Sequence, residues 1–170
     1  MKITRIGMVL LGVLGLTLGM GCAPKRKLVT DRDRKEAAFI VSEAQFAFSL
    51  RDWTRAEGLL AKAVQMSPEG YYWLSLGSTR VRLGNRTAAK EAYQAALKVY
   101  EDDAARDGTH SDHWLKQAYV LAVLGRMDDS RAVLAKAATR FPNDSKVRSF
   151  MDPKRFEQMI TAPSFKEMAL

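Results

Sequence analysis

The fold is decided by the stretch Trp114-Leu-Lys-Gln-Ala-Tyr-Val-Leu-Ala-Val-Leu-Gly-Arg-Met-Asp-Asp-Ser-Arg-Ala-Val-Leu-Ala-Lys-Ala-Ala-Thr-Arg-Phe-Pro142. Its apolar residues recur at helical spacing on both sides of Leu124-Gly125-Arg126. Glycine between two such segments favours a tight turn, and Pro142 cannot continue the second segment. The stretch therefore predicts two helices joined by a short turn.

Two earlier parts of the chain repeat this pattern. The segment Trp53 to Pro68 corresponds to the second helix, and Trp73 to Tyr100 corresponds to both helices, with Leu83-Gly84-Asn85 at the turn. Small residues recur at Ala56, Ala89 and Ser130, and bulky ones at Leu60, Tyr93 and Leu134. The small residues are separated by 33 and then 41 positions, so the second interval carries extra residues. These residues, 101–110, are polar and are predicted to break the helix.

The repeated residues resemble the tetratricopeptide repeat, a unit of roughly 34 residues with the order Trp, Leu-Gly, Tyr, Ala, Phe, Ala, Pro. The first unit departs from this order at Ile40, Glu43 and Ala47, and the second has Arg80 and Glu101 in place of Tyr and Pro. The resemblance implies an all-α, right-handed superhelical stack of about three helix-turn-helix units. They are expected at about residues 37–69, 70–103 and 111–144, followed by capping helices over 145–170.

The N-terminus has the layout of an export signal. Lys2 and Arg5 precede an uncharged apolar run that ends before Cys22. Five glycines make this run a poor candidate for a membrane-spanning helix. The small residues directly before Cys22 resemble the lipobox of bacterial lipoproteins, although Leu18 lies four residues before the cysteine rather than three. We therefore expect a signal peptide over 1–21 and a lipid at Cys22; the alternative is ordinary cleavage after Ala23.

The resemblance to lipoproteins also implies a location. A flexible basic tether is expected over 22–35, and residues 22–170 carry a formal charge of +6, from 25 cations and 19 anions. Since Ala23, not Asp, follows the cysteine, the implied address is the periplasmic face of the outer membrane in a bacterium with two membranes. The basic residues are attributed to a tether near lipid headgroups, and no nucleic-acid recognition motif is present.

A stack of this kind offers a concave surface formed by the first helix of each pair, where a protein or peptide partner would bind. By the geometry of the family, this groove would be lined mainly by apolar side chains, at Val41, Gln45, Phe48, Tyr71, Leu74, Ser78, Val81, Arg82, Leu115, Tyr119 and Val123. Family members that clamp a C-terminal carboxylate use Lys and Asn at two such positions, and these are absent here. The expected ligand is an amphipathic helix or an extended apolar segment.

The C-terminal residues could fill the same groove. Pro153 and Pro163 suit first helical turns, and helical apolar spacing continues to Met168. Three interpretations stay open: an internal cap, a partner-binding face, and a purely structural homo-oligomer in which the groove takes a neighbour's C-terminal helix.

Catalysis is not expected, and neither is a cofactor. The chain has one Cys and two His, too few for a structural zinc site, and no nucleophile motif or phosphate-binding loop. The one alternative is a metal-dependent enzyme using His110 and His113 with nearby carboxylates, but a capped helix start in a solvated loop is the simpler explanation of these residues. The sequence therefore predicts a membrane-anchored scaffold in an envelope complex, such as a factor for assembling pili, secretion channels or outer-membrane proteins.

Overall fold

The computed structural model describes residues 28–170, and these residues form α-helices and no strand. The helices are α1 (Asp31–Ser49), α2 (Trp53–Met66), α3 (Gly70–Arg82), α4 (Arg86–Arg106), α5 (Asp112–Val123), α6 (Met127–Arg140), α7 (Ser145–Met151), α8 (Pro153–Thr161) and α9 (Pro163–Lys166). The first six form three helical hairpins, and each hairpin packs against the next. The predicted all-α repeat stack is confirmed.

The three hairpin turns share one backbone conformation. Arg51, Gly84 and Gly125 occupy equivalent positions and have φ angles of 58°, 77° and 76°. After each of them, the next amide donates to a carbonyl five residues earlier, with N–O distances of 2.9 Å in all three turns. This is the six-to-one bond of a Schellman motif, which requires a left-handed residue after the helix. Two units use glycine there and the first uses arginine.

Small residues allow the paired helices to approach closely. An added β-carbon at Gly77 would lie 2.3 Å from the Tyr93 ring, so this position accepts no larger side chain without movement. Ala56 and Ala89 are fully buried. Ser130 is also fully buried, and its hydroxyl donates to the Ala118 carbonyl at 2.7 Å. The predicted packing role of these small positions is confirmed.

Two predicted boundaries are wrong. The tether was expected to reach residue 35, but α1 begins at Asp31 because Thr30 and Asp33 form a reciprocal capping box, with distances of 3.0 and 3.1 Å. The insertion 101–110 was expected to break the helix, but α4 continues to Arg106. Its extension is supported by an ion pair between Lys98 and Asp102 at 3.0 Å. Only residues 107–111 form the connection.

The C-terminal residues pack as a cap against the last hairpin. Pro153 and Pro163 lie in the first turns of α8 and α9, as predicted. The three short helices bury Val147, Phe156 and Phe165 against residues of α5 and α6. They therefore cover the apolar face that the third hairpin would otherwise expose to water.

Candidate protein-binding groove

An open apolar cavity of about 290 Å³ lies between α3 and α5. Leu74 comes from α3, and Leu115 and Tyr119 come from α5. These three positions fall on one side of the stack because they lie on the first helix of successive hairpins. Three of the residues that the sequence placed in a groove therefore line this cavity.

Charged side chains form the rim of this cavity. Lys146 of α7 pairs with Asp112 of α5, with an Nζ–Oδ1 distance of 2.9 Å, and both side chains are largely exposed. The hydrogen bond from Lys146 lowers the pKa of Asp112, and the same bond raises the pKa of Lys146. The Nζ atom of Lys116 lies 5.6 Å from the centre of the Tyr100 ring. A ligand here would meet an apolar floor with both cations and an anion at its edge.

The other end of the same face is occupied by the C-terminal residues 163–170, which we call the C-terminal strap. Phe165 is buried and packs edge-on against Tyr119, with ring centres 5.9 Å apart. The amide of Leu170 donates to the carbonyl of Val123 at 2.9 Å. The strap is therefore bound to its own chain by main-chain and side-chain contacts.

Two polar contacts fix the strap to the second hairpin. The hydroxyl of Tyr93 donates to the Met168 carbonyl at 2.7 Å, and burial raises the pKa of this phenol well above its usual value. Arg82 pairs with Glu167 at 2.9 Å and also lies over the Trp53 ring, 4.6 Å from its centre. The strap thus joins α3, α4 and α5 at the turn end of the hairpins.

Ten of the eleven predicted groove residues fall into four groups. Leu74, Leu115 and Tyr119 line the open cavity, and Tyr119 also contacts the strap or the cluster that it completes, as do Val81, Arg82 and Val123. Gln45 and Tyr71 are exposed outside the cavity. The last two make local contacts: Phe48 packs against Trp53, and the Ser78 hydroxyl donates to the Ser75 carbonyl. The prediction for Val41 is wrong, because its side chain is buried in the core between α1, α2 and α3. Among the described residues, the cavity therefore covers the part of the predicted surface formed by Leu74, Leu115 and Tyr119.

Five cavity residues were not predicted to line the groove: Asp112 and Lys116 lie on α5 itself, and the other three come from other helices. Tyr100 comes from α4, and Lys146 and Phe150 come from α7. The repeat pattern alone assigns α4 to the outer layer and gives no position for α7. Tyr100 is 5% exposed, and burial raises the pKa of its phenol to about 12. The sequence signal for these contributions was the pair of aromatic residues Tyr100 on α4 and Phe150 on α7.

The candidate metal-binding histidines have separate carboxylate neighbours. Asp107 accepts hydrogen bonds from Thr109 and from His110, which lower its pKa to about 2. His113 lies elsewhere, with Nδ1 3.9 Å from Asp103, a distance too long for a hydrogen bond. Over residues 28–170, no group of three potential ligands is arranged to hold a metal ion. The structure does not bring the two histidines together around one site.

The predicted signal peptide and Cys22 lie outside the described residues. From residue 28 onward, no helix combines the length and apolar character needed to cross a bilayer. No curated protein matches the chain.

Residues 74–145 match the sequence model of the tetratricopeptide repeat family. The match begins within α3 and ends at the first residue of α7, so it covers most of the second hairpin and all of the third. The described structure extends the same hairpin, with the same turn geometry, to the first unit. Residues 74–145 therefore belong to the tetratricopeptide repeat family, and the first hairpin shares their turn geometry.

Proposed function

We propose that this protein is a lipid-anchored scaffold that binds a protein partner in a bacterial envelope complex, with Cys22 as the acylated residue. The observation that carries the proposal is the open apolar cavity between α3 and α5, since tetratricopeptide repeats are protein-interaction modules whose concave surface takes the ligand. The export signal and the cysteine at its end support the location, the periplasmic face of the outer membrane.

The chemistry of the cavity defines the kind of partner. Leu74, Leu115 and Phe150 supply an apolar floor, and about 290 Å³ is room for a few side chains. An amphipathic helix would place its apolar stripe on this floor and its polar residues against the charged rim. The strap covers the part of the face near the hairpin turns, where Leu170 binds Val123. Such a ligand would therefore bind at the opposite part of the face, where Leu74 and Leu115 line the cavity.

Site-specific crosslinking tests the proposed groove. A photoreactive amino acid replaces Leu74 in the cavity or, as the control, exposed Gln94 of α4. We expect one crosslinked envelope protein with the probe at residue 74 and none at residue 94. The same adducts from both positions would mean that the groove is not the binding surface.

The captured partner then provides an affinity measurement. Leu74→Gln removes apolar contact inside the cavity, and Leu83→Gln makes the same change at the α3–α4 turn, where Leu83 is 42% exposed. We expect Leu74→Gln to weaken binding about tenfold or more, as loss of about 1.4 kcal/mol of apolar contact requires, and Leu83→Gln to leave it unchanged. Equal affinities for both variants would contradict groove binding.

The anchor is tested separately through Cys22. Metabolic labelling with palmitate should mark the wild-type protein and leave Cys22→Ser unlabelled, with the variant moving from the membrane fraction to the aqueous fraction. Incorporation of the label into Cys22→Ser would refute acylation at this cysteine.

A further inference from the structure

Helix α1 and its C-cap residue Leu50 carry an exposed apolar stripe on the side away from the core. Phe39, Phe46 and Leu50 are 64%, 59% and 59% exposed. Their spacings of seven and four residues place them within about 40° of one another around the helix axis. The stripe therefore presents two phenyl rings and one isobutyl group to solvent along one line.

The core does not use this stripe. The buried residues of α1 lie on the opposite side of the helix, at Ala37, Ile40, Val41, Ala44 and Ala47. The outer face of a terminal repeat is normally polar, because no further repeat covers it. Here three large apolar groups occupy that face, so it has the composition of a contact surface.

Two serine hydroxyls beside the stripe already have hydrogen-bond partners, while the carboxylate of Glu43, one turn after Phe39, has to remain at the polar boundary of the stripe. Ser42 and Ser49 lie on the same side of α1, and their hydroxyls donate to the carbonyls of Phe39 and Phe46, each at 2.7 Å. Moving this face into a less polar medium would therefore leave neither hydroxyl without a hydrogen-bond partner. Arg32 and Lys35 occupy the same side at the N-terminal end of the helix.

The position of α1 in the chain indicates what covers the stripe. Asp31 lies nine positions after Cys22, a reach of about 30 Å at most, and α1 itself is about 28 Å long. An acyl chain at Cys22 would therefore hold the stripe close to the bilayer at high effective concentration, so that a weak intrinsic affinity suffices. This step rests on the proposed function. With three cations and four anions, α1 has a formal charge of −1, so the main attraction must come from its apolar groups.

We propose that α1 lies on the bilayer surface, with Phe39, Phe46 and Leu50 buried in the interfacial region and Arg32 and Lys35 directed to the headgroups. Such helices lie in the membrane plane through an apolar face flanked by basic residues. The anchored protein is then held in a fixed orientation and not at the end of a free tether. A second copy of the chain is the competing occupant of the stripe.

A fluorescence experiment tests the contact with lipid. In chain 22–170 with Cys22→Ser, an N-terminal hexahistidine tag holds the protein on vesicles of phosphatidylethanolamine and phosphatidylglycerol that contain a nickel-chelating lipid. An environment-sensitive NBD dye is attached at Ser42→Cys, inside the stripe, or at Gln94→Cys, an exposed position on α4. Nitroxide-labelled lipids then report whether the dye contacts the bilayer.

We expect nitroxide lipid to quench the dye at residue 42 at least threefold more than the dye at residue 94. Combining Phe39→Ser with Phe46→Ser should remove this difference, and circular dichroism should show unchanged helix content because both side chains are exposed. Equal quenching at both positions would overturn the proposal. A blue shift of the dye emission at residue 42 without vesicles, together with a doubled molecular mass of the protein in solution, would also overturn it. That result would assign the stripe to a second copy of the chain.

The tag keeps this inference separable from the proposed anchor. Since the tag supplies attachment, the quenching result does not depend on acylation of Cys22. Unlabelled Cys22 in cells combined with quenching at residue 42 would refute the anchor alone, and acylated Cys22 without quenching would refute the docking of α1 alone.

Discussion

The turn between α1 and α2 is expected to be under conformational strain that a single substitution relieves. Arg51 has a φ angle of 58°, a left-handed conformation that costs a residue with a β-carbon about 1–2 kcal/mol. Glycine adopts it freely but loses about 0.5–1 kcal/mol more conformational entropy on folding. We therefore predict that Arg51→Gly raises the free energy of unfolding by about 0.5–1 kcal/mol, or the melting temperature by about 1–4 °C.

The measurement is urea unfolding of chain 22–170 followed by circular dichroism at 222 nm, with three control variants. Arg51→Ala removes the side chain but keeps the β-carbon, so its stability should stay close to that of the wild type. Gly84→Ala and Gly125→Ala make the opposite change at the equivalent turns and should each lower stability by about 1 kcal/mol. Gly84 is the cleaner position, because nothing lies within 4 Å of an added β-carbon there and the loss is purely conformational.

Two results would refute the reasoning. If Arg51→Ala stabilises the protein as much as Arg51→Gly, the effect belongs to the arginine side chain and not to the backbone. If Arg51→Gly destabilises the protein while Gly84→Ala has no effect, the shared turn geometry does not set the energy of the hairpins.

Three further predictions concern single residues of the second and third hairpins. The side chain of Asn85 caps α4 by accepting a hydrogen bond from a backbone amide, whereas the equivalent Arg126 makes no cap bond to α6. Arg126→Asn should therefore raise the free energy of unfolding by about 0.5–1 kcal/mol in the same urea assay. Gly77→Ala places a methyl group against the Tyr93 ring and should remove about 1–3 kcal/mol, seen as a lower urea midpoint. Burial raises the pKa of Tyr100 to about 12, so as the pH rises the phenol loses its proton in the unfolded chain before it does so in the folded chain. The free energy of unfolding should therefore fall between about pH 10 and pH 12. Thermal melts across that range should show a less steep fall in Tyr100→Phe.

The repeat could be predicted because its cause is local. A glycine at two of the three turns, a small residue in each second helix and a bulky residue one turn later are all visible along the chain. These residues specify hairpin packing directly, since Gly77 and Tyr93 touch across the pair. The first hairpin lacks the turn glycine and still folds in the same way, because the packing of Leu60 and its neighbours in the first core cluster outweighs a cost of about 1–2 kcal/mol at Arg51.

The limits of the groove could not be predicted from the repeat. Which groove positions stay open depends on the strap and on α7, and both follow the last repeat unit. Family geometry places Val123 and Leu115 on the same surface, but the amide of Leu170 binds the Val123 carbonyl while Leu115 faces the cavity. The two helix boundaries were predicted wrongly for a different reason. The capping box at Thr30 and the ion pair between Lys98 and Asp102 are side-chain contacts, and they extend α1 and α4 beyond the repeat pattern.

The strap and the cavity share Tyr119, so a ligand that moves this side chain in the cavity also changes its contact with the strap. The Tyr119 side chain packs against Phe165 on the strap and also lines the cavity. A ligand that moves this ring must either keep the contact with Phe165 or weaken it, and a weaker contact lowers the free energy that holds the strap in place. Since binding linkage is reciprocal, release of the strap would change ligand affinity by the same factor. A ligand that weakened the contact between Tyr119 and Phe165 would therefore bind more tightly to a chain from which the strap is removed.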